Sequence, residues 1–466
     1  MKKIILASYG YYPHFWGGSE VYVHGLAKYL QAQGYEVTVV AGLEEKHLAH
    51  CEVFYEDGYL RAGHYTFEGI AVIGCTNRVT TSEIYGRYNP AWKTSWVNMF
   101  RQYNGGDLAA DLLHFHAYSS LINASLAEAA RELFPGIGIL YSYHVPESCP
   151  KGTLVRYNRN LCTIRPNRSD CTACVLQDRL GVPPALAVFL GKTMPILPLP
   201  EKTPALLRAK WLTGLSIAGF DRMTGQVDHW FVFSNQIMDV LKRQGVPAEK
   251  ATLLRHGIDD RFFDETSPTG QGQQRPEGPA VFVFAGRFKK IKGIGTLLKA
   301  WVQLEDDPAA RRLVLIGGDK DSAPAPADVL EKAKKRKDIE WAGLLPVEEV
   351  RGRLEQAHCM IVPSEWVEIG PLVIHEAIAC GANVITVDIG GCAELAAYYG
   401  ENCTTYPMGD AVSLADKIRN FRYRPVEMKV TSMKEHYSQL LSAVTAVSRN
   451  KWRTSGVALP APAAAS

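Results

Sequence analysis

Apolar residues cluster in short runs separated by stretches of helical period, and this alternation recurs along most of the chain. In the first half, residues 3–7, 37–41, 112–116, 138–143 and 230–234 read as strands; in the second, 280–285, 312–316, 359–362 and 383–387 do. Such runs between amphipathic helices predict parallel sheets covered by helices. An α/β fold of two Rossmann-like, doubly wound domains is the simplest architecture with that rhythm. Ligands of such sheets lie beyond the carboxyl ends of the strands.

Three stretches break the pattern. Residues 267–279, Ser-Pro-Thr-Gly-Gln-Gly-Gln-Gln-Arg-Pro-Glu-Gly-Pro, have no apolar period and mark a linker. Residues 146–225 hold four cysteines, several arginines and a Pro-rich segment, and are expected to be an insertion rather than regular strand-helix units. The Ala- and Pro-rich tail 457–466 is expected to be disordered. The domains then run from 1 to 266 and from 280 to 425, followed by a helical segment 426–456 expected to pack back on the N-terminal domain.

Composition narrows the class without choosing a function. With 466 residues, 47% hydrophobic and 21% charged, the chain is neither disordered, collagenous nor a disulfide-stapled miniprotein. Lys plus Arg number 51 against 48 Asp plus Glu, a net charge of +3, so no chain-wide field draws nucleic acid and none is expected as a partner. The apolar run after Met1-Lys2-Lys3 is too short for a secretory signal, and the longest apolar stretches fall well short of the roughly 20 residues that span a bilayer. Ten cysteines without such a signal point to a reducing compartment. A cytoplasmic chain, at most peripheral at the inner membrane surface, is expected.

Chemistry is sought after the strands. Gly17-Gly18 precede a helix start, where backbone amides and the helix dipole favour a phosphate, although a Gly pair is also a common structural turn. His114 and His116 share one face at the end of a strand, and His144 follows the strand 138–143. One of these histidines can hydrogen-bond a sugar hydroxyl, the alternative being core or metal-ligand roles. Arg287 and Lys292 flank a turn into a helix expected at 296–303, a place for two cations to hold a diphosphate without metal. Glu368 falls in a loop and Glu376 in the first turns of the following helix, one placed for a reacting sugar and the other for ribose hydroxyls. Asp319-Lys320-Asp321 mimics a DxD metal site but reads as a solvated loop.

Together these segments resemble the retaining GT-B glycosyltransferases of the fourth glycosyltransferase family, the glycosyl transferases of group 1. The resemblance runs from Gly17-Gly18 through Gly245-Val246-Pro247 and His256-Gly257-Ile258-Asp259 to the Glu368/Glu376 pair and Asp410. It implies a GT-B fold of two domains facing a cleft and transfer of a hexose from a nucleotide-diphosphate sugar to a glycan or lipid-linked acceptor, in work such as cell-surface polysaccharide synthesis. No cofactor is implied for catalysis. Carried over by position, Arg287 and Lys292 look like diphosphate ligands, Glu376 the ribose ligand, Glu368 the residue facing the donor sugar and His116 the cleft histidine. Gly17, Gly18, Ile369, Gly370 and Leu372 complete the donor-binding set. Where many relatives have glycine this chain has Pro371, which has no amide to donate and puts one contact to the donor sugar in question. A nucleotide-sugar epimerase, or a non-catalytic metal-binding protein that kept the fold, are the competing readings.

Within the insertion, Cys149, Cys162, Cys171 and Cys174 are spaced Cx12Cx8CxxC. Four thiolates so close in sequence suit a structural zinc ion or an iron-sulfur cluster, with free core cysteines or a redox pair as the alternative. Lys151, Arg156, Arg159, Arg165 and Arg168 make this stretch strongly basic, suited to an anionic acceptor, an acidic membrane surface or simple solvation.

Overall fold

The computed structural model describes residues 2–15, 17–78, 90–106, 108–157, 160–198, 203–263, 275, 277–427 and 430–455. Trp16, Arg159, most of the expected linker and the tail 457–466 lie outside the described residues. The chain divides into two compact units. One comprises Met1–Phe233, Ile237–Leu254 and the chain from Tyr437 on; the other comprises Ser234–Gln236 and Arg255–His436.

The strands of the first unit, in chain order, are β1 (Lys3–Ser8), β2 (Glu36–Gly42), β3 (Glu52–Glu56), β4 (Leu60–Phe67), β5 (Ile70–Asn77), β6 (Leu112–Phe115), β7 (Gly138–Tyr143), β8 (Val155–Arg156), β9 (Asn160–Leu161), β10 (His229–Val232) and β11 (Ala251–Leu253). Nine of them form one sheet in the order β11-β10-β7-β6-β1-β2-β5-β4-β3. β1 lies near its centre, and Ile4, Ile5, Leu6 and Ala7 are all buried, as a strand covered on both faces requires. The edge β5-β4-β3 is antiparallel and was not anticipated. Glu68 and Gly69, both with positive φ, make the tight turn from β4 to β5, and a two-residue turn of this kind matches the strand twist.

The second unit holds β12 (Ala280–Ala285), β13 (Arg311–Ile316), β14 (Ile339–Gly343), β15 (Cys359–Val362), β16 (Asn383–Val387) and β17 (Cys403–Tyr406) in one parallel sheet, β14-β13-β12-β15-β16-β17. The helix expected at 296–303 spans Ile294–Trp301, because Gly293 in the left-handed region starts it earlier. The unit boundary falls at Leu254/Arg255, ahead of the domain end expected at 266. Ile258 and Phe262 belong to the second unit's core, and Ile258 bridges to Ser432, so the chain commits to the second unit before the polar stretch begins.

The C-terminal helix Met433–Ser455 contributes to the first unit from Tyr437 on. Tyr437 donates its hydroxyl to the Tyr22 carbonyl at 2.8 Å, and a Cβ on Gly25 would stand 2.5 Å from that hydroxyl oxygen. The insertion carries more regular structure than expected: helices Arg168–Leu180, Pro184–Thr193 and Ala205–Gln226, and the short hairpin β8-β9. The first two helices touch where Gly191 faces the Ser169 carbonyl, too close for any side chain.

Candidate functional site

In the second unit the site is built from two loops at the carboxyl ends of β12 and β15. Gly293 adopts φ 71°, and a Cβ there would fall 1.6 Å from the Pro363 carbonyl oxygen, so only glycine lets the 287–293 turn lie against the end of β15. Two further bonds fasten the loops: Glu365 N donates to Ile291 O at 2.9 Å, and Thr296 Oγ1 donates to Glu365 Oε1 at 2.7 Å.

This fastening brings Lys292 to Glu368, Nζ to Oε1 at 2.6 Å, and Ser364 Oγ donates to the same oxygen at 2.9 Å. The ammonium also lies 5.7 Å from the Trp366 ring centre, and the Trp366 indole nitrogen is buried with no hydrogen-bond partner. Glu368 is held from below, since Gly391 N donates to Glu368 O at 2.7 Å and a Cβ on Gly391 would stand 2.4 Å from the Ile369 carbonyl oxygen. Arg287 stands exposed on the same turn, its carbonyl accepting from Lys289 N at 2.7 Å.

Ile369 and Gly370 continue the loop, and Pro371 caps the helix Leu372–Ala379 without a side-chain bond. Its carbonyl accepts from Ile374 N at 3.1 Å, but its own nitrogen has no proton to offer a ligand. Glu376 lies inside this helix rather than at its solvated edge. Burial pushes its carboxyl up to about 7, and the negative charge of Asp259 adds to the rise. Near neutral pH this group therefore exchanges between acceptor-only carboxylate and protonated acid.

The first unit carries the histidine cluster at the ends of β6 and β7. His114 and His116 do share a face: their ring centres are 4.1 Å apart. His114 Nε2 meets Ser142 Oγ at 2.9 Å, a core arrangement, and burial holds its ring down to about 3 and thus neutral. His116 Nδ1 meets His144 Nε2 at 3.1 Å, while His116 Nε2 is buried with no partner. Burial, with His114 and His144 adding, keeps His116 well below the usual histidine range. The geometry thus singles out His116 as the neutral ring with an unused nitrogen.

At Gly17 and Gly18 the helix Gly18–Ala32 begins with no side-chain cap bond. The buried Glu20 folds over this start, its Oε2 2.7 Å from where a Cβ on Gly17 would lie, so an anion at these amides must share the place with a carboxylate. Sequence reading missed Glu20, along with Ser364 and Glu365. It also missed Glu147, whose carboxyl group accepts from Tyr118 N at 2.7 Å and from the Tyr141 hydroxyl. Its position just after a strand end, beside His144, is the signal that finds it.

The remaining candidates are committed elsewhere. Asp410 caps the helix Ala411–Arg419, accepting from Val412 N and Ser413 N at 3.0 Å each. Asp319 accepts from Asp321 N and Ser322 N within its own turn, and Asp321 pairs with Lys334 at 2.8 Å.

Comparison with known proteins places the chain. Residues 16–178 match the family model for Glycosyltransferase Family 4, and residues 269–429 match that for Glycosyl transferases group 1. The two models together span more than half of the chain, which belongs to the group 1 glycosyltransferases. A glycogen synthase from Mycobacterium tuberculosis is 24% identical over 253 residues, 52% of this chain and 58% of that protein, so the match takes in little more than half the relative's length. Among solved structures, a glycosyltransferase from Rickettsia africae aligns with a TM-score of 0.57 at 14% identity, covering 96% of this chain and 99% of the other. HepE from Anabaena, solved with UDP, aligns with a TM-score of 0.52 at 15% identity, covering 98% and 100%. These likenesses establish the GT-B fold. Among the described residues, no helix is long and apolar enough to cross a membrane.

Proposed function

We propose that the chain transfers a hexose from a nucleoside-diphosphate sugar to a glycan or lipid-linked acceptor with retention at the anomeric carbon. The observation that carries this reading is the Lys292–Glu368 pair, fixed by Gly293 beside the exposed Arg287 at the end of a parallel strand. The two cations meet the diphosphate, Glu376 accepts from ribose hydroxyls, and Glu368 faces the sugar. As the bond from C1 to the diphosphate oxygen breaks, Lys292 and Arg287 take up the charge growing on the leaving group. The acceptor oxygen forms its bond to C1 on the same face, and its proton passes to the departing diphosphate. His116 Nε2, neutral and unpartnered, orients a sugar hydroxyl. HepE is known with UDP bound, which makes a uridine nucleotide the first donor to try.

A lipid-linked acceptor, with the chain peripheral at an anionic inner membrane surface, fits the insertion. Leu186, Phe189, Ile196, Leu206 and Leu207 are exposed there, and Arg179 and Lys192 are exposed on helices Arg168–Leu180 and Pro184–Thr193. A groove of about 620 Å³ runs between helices Arg168–Leu180 and Ala205–Gln226, lined by Leu176, Leu206 and Leu212 and by the charged Lys151, Arg179 and Asp178. Apolar side chains rimmed by cations are what an anionic bilayer attracts.

The test combines a thermal-shift panel of UDP-, GDP- and ADP-sugars with turnover assays, with and without candidate acceptors and with and without EDTA. One donor class should raise Tm, turnover should need an acceptor, the product should keep the donor's anomeric configuration, and EDTA should leave donor binding intact. Conversion of the donor to an epimer without acceptor would establish the isomerase reading. Absence of any donor binding would leave a scaffold protein, and complete loss in EDTA restored by Mg2+ would assign Asp319 and Asp321 a metal.

A further inference from the structure

The cysteines of the insertion, Cys149, Cys162, Cys171 and Cys174, are free, and among the described residues no group of three or more His, Cys, Asp or Glu side chains is placed to hold a metal ion. The polar groups that matter here lie elsewhere, at the carboxyl ends of β1 and β6.

In the sheet of the first unit β1 stands between β2, which follows it in the chain, and β6, so the direction of winding reverses there. Ligands of an open parallel sheet lie in the crevice at that reversal, beyond the carboxyl ends of the strands. Ser8 is the last residue of β1, and His116 is the first after β6. Ala7 pairs with Phe115 and His116 N donates to Ala7 O at 2.8 Å, so the register carries on to set Ser8 beside His116. Residues in register on adjacent strands present their side chains to one face of the sheet. On its other side Ser8 pairs with Ala41 of β2, so the sheet rather than a loop fixes its place.

Both side chains are buried, Ser8 at 1% and His116 at 2% exposure, and Ser8 Oγ, like His116 Nε2, has no hydrogen-bond partner. A closed version of the same pair lies close by. His114, two residues before His116, meets Ser142 Oγ at 2.9 Å through its Nε2, so hydroxyl and ring satisfy one another. At the strand ends the hydroxyl and the ring stand side by side without bonding each other. Leaving a buried polar atom unbonded is destabilising. Two of them on neighbouring strand ends, in the part of the sheet that takes ligands, call for one shared partner.

The chemistry of the pair names that partner. His116 Nδ1 is engaged with His144 Nε2 at 3.1 Å, so His116 Nε2 donates or accepts according to the tautomer. Ser8 Oγ can do either. An alcohol, which donates one bond and accepts others, fits both tautomers, whereas a carbonyl only accepts and an ammonium only donates. Full burial disfavours a charged partner.

We propose that Ser8 and His116 together hold one hydroxyl of a sugar substrate, which makes Ser8 a specificity-determining residue that selects sugars carrying that hydroxyl. The proposal rests on the glycosyltransferase reading and adds the residue that completes the hydroxyl's hydrogen bonds. A site built to bond a hydroxyl rejects the analogue that lacks it, because its own buried groups are then left unpaired.

The test measures kcat/KM of the full wild-type chain and of Ser8→Ala on UDP-, GDP- and ADP-hexoses, and on analogues of the active donor that each lack one hydroxyl. Acceptor-free hydrolysis is read beside transfer. A hydroxyl of the donor acts in both, whereas one of the acceptor acts in transfer alone, and deoxy acceptors then replace the deoxy donors. Ser8→Ala should lower kcat/KM roughly 3- to 10-fold, and omission of the one hydroxyl should lower it roughly 10- to 100-fold in the wild type. On that analogue Ser8→Ala should cost nothing further, while on every other analogue it should cost what it costs on the parent sugar. Ligand-free Ser8→Ala should melt at or above the wild-type temperature, since it removes an unbonded buried hydroxyl. A lower Tm would reveal a hydroxyl bonded within the fold and overturn the proposal. So would wild-type kcat/KM in Ser8→Ala, or a loss that is the same on every donor and acceptor analogue. A wild-type chain that turns over no nucleotide sugar would remove the transferase reading and this proposal with it, whereas turnover indifferent to Ser8 removes the proposal alone.

Discussion

The Lys292–Glu368 pair and the His116–His144 pair each lie at the ends of parallel strands, and they manage polarity in opposite ways. The first is ionic and anchored from several sides, by Ser364, Gly391 and the Gly293 approach. In the second, burial keeps His116 neutral, and one of its ring nitrogens is unused. A preorganised cation is useful where charge develops during a reaction, whereas a neutral ring can orient a hydroxyl without attracting or repelling the leaving group. On the proposed function, the difference gives electrostatic work to one loop and positioning to the other, and it can be broken by mutation.

The largest effect should come from the cations. Lys292→Ala and Arg287→Ala should each cost roughly 2–4 kcal/mol of transition-state stabilisation, the scale for removing one preorganised electrostatic donor. Lys292→Ala also leaves the buried Glu368 without its cation, with Ser364 Oγ still donating to it, so folding must be checked by circular dichroism before steady-state kinetics are compared. Wild-type kcat/KM in both folded variants would remove the ionic loop from catalysis.

The two glutamates should separate next. Glu368→Gln should chiefly lower kcat, and Glu376→Ala should chiefly raise the donor KM. Because the Glu376 carboxyl is pushed up to about 7, donor affinity that depends on the carboxylate should weaken as pH falls through 7, and Glu376→Gln should flatten that dependence. Identical kinetic patterns in both mutants would dissolve the distinction between sugar and ribose roles.

Much of the ionic loop was legible because its determinants are consecutive: Gly286, Arg287, Lys292 and Gly293 sit within one turn, and the spacing itself carries the geometry. Ser364 and Glu365 were not, since their partners Glu368, Ile291 and Thr296 are fixed by tertiary contact between two strand ends. The central parallel strands were readable from apolar runs, while the β3-β4-β5 edge was passed over although Glu68-Gly69 offered a hairpin turn. In the insertion, cysteine spacing was visible but three helices were not, because Pro-rich stretches and exposed Leu and Phe obscure their period.

On the neutral side, His116→Ala should remove one uncharged hydrogen bond, about 0.5–1.5 kcal/mol or a few-fold in kcat/KM, well below the loss for Lys292. His144→Phe should act in the same direction through loss of the ring orientation. If His116→Ala instead cost as much as Lys292→Ala, and the pH profile shifted with it, the ring would carry charge in the reaction and the contrast would fail.

The smallest effect on turnover is expected at Glu147, where the contrast reaches a third group. Its carboxyl lies by Tyr118 and Tyr141, and burial pushes it up to about 8 against the lowering effect of those two hydrogen bonds. The folded chain therefore holds a proton that the unfolded chain releases from about pH 4.5 upward. Where the folded state binds more protons, stability falls as pH rises, so this group should lower Tm progressively between pH 4.5 and about 8. Glu147→Gln keeps an acceptor oxygen for Tyr118 N and turns an amide N–H to the Tyr141 hydroxyl oxygen while removing the ionisation, and should flatten Tm against pH with kcat/KM near wild type. A flattened kcat/KM profile with unchanged Tm would mean that Glu147 moves a proton in the reaction, and the neutral side would then contain a base.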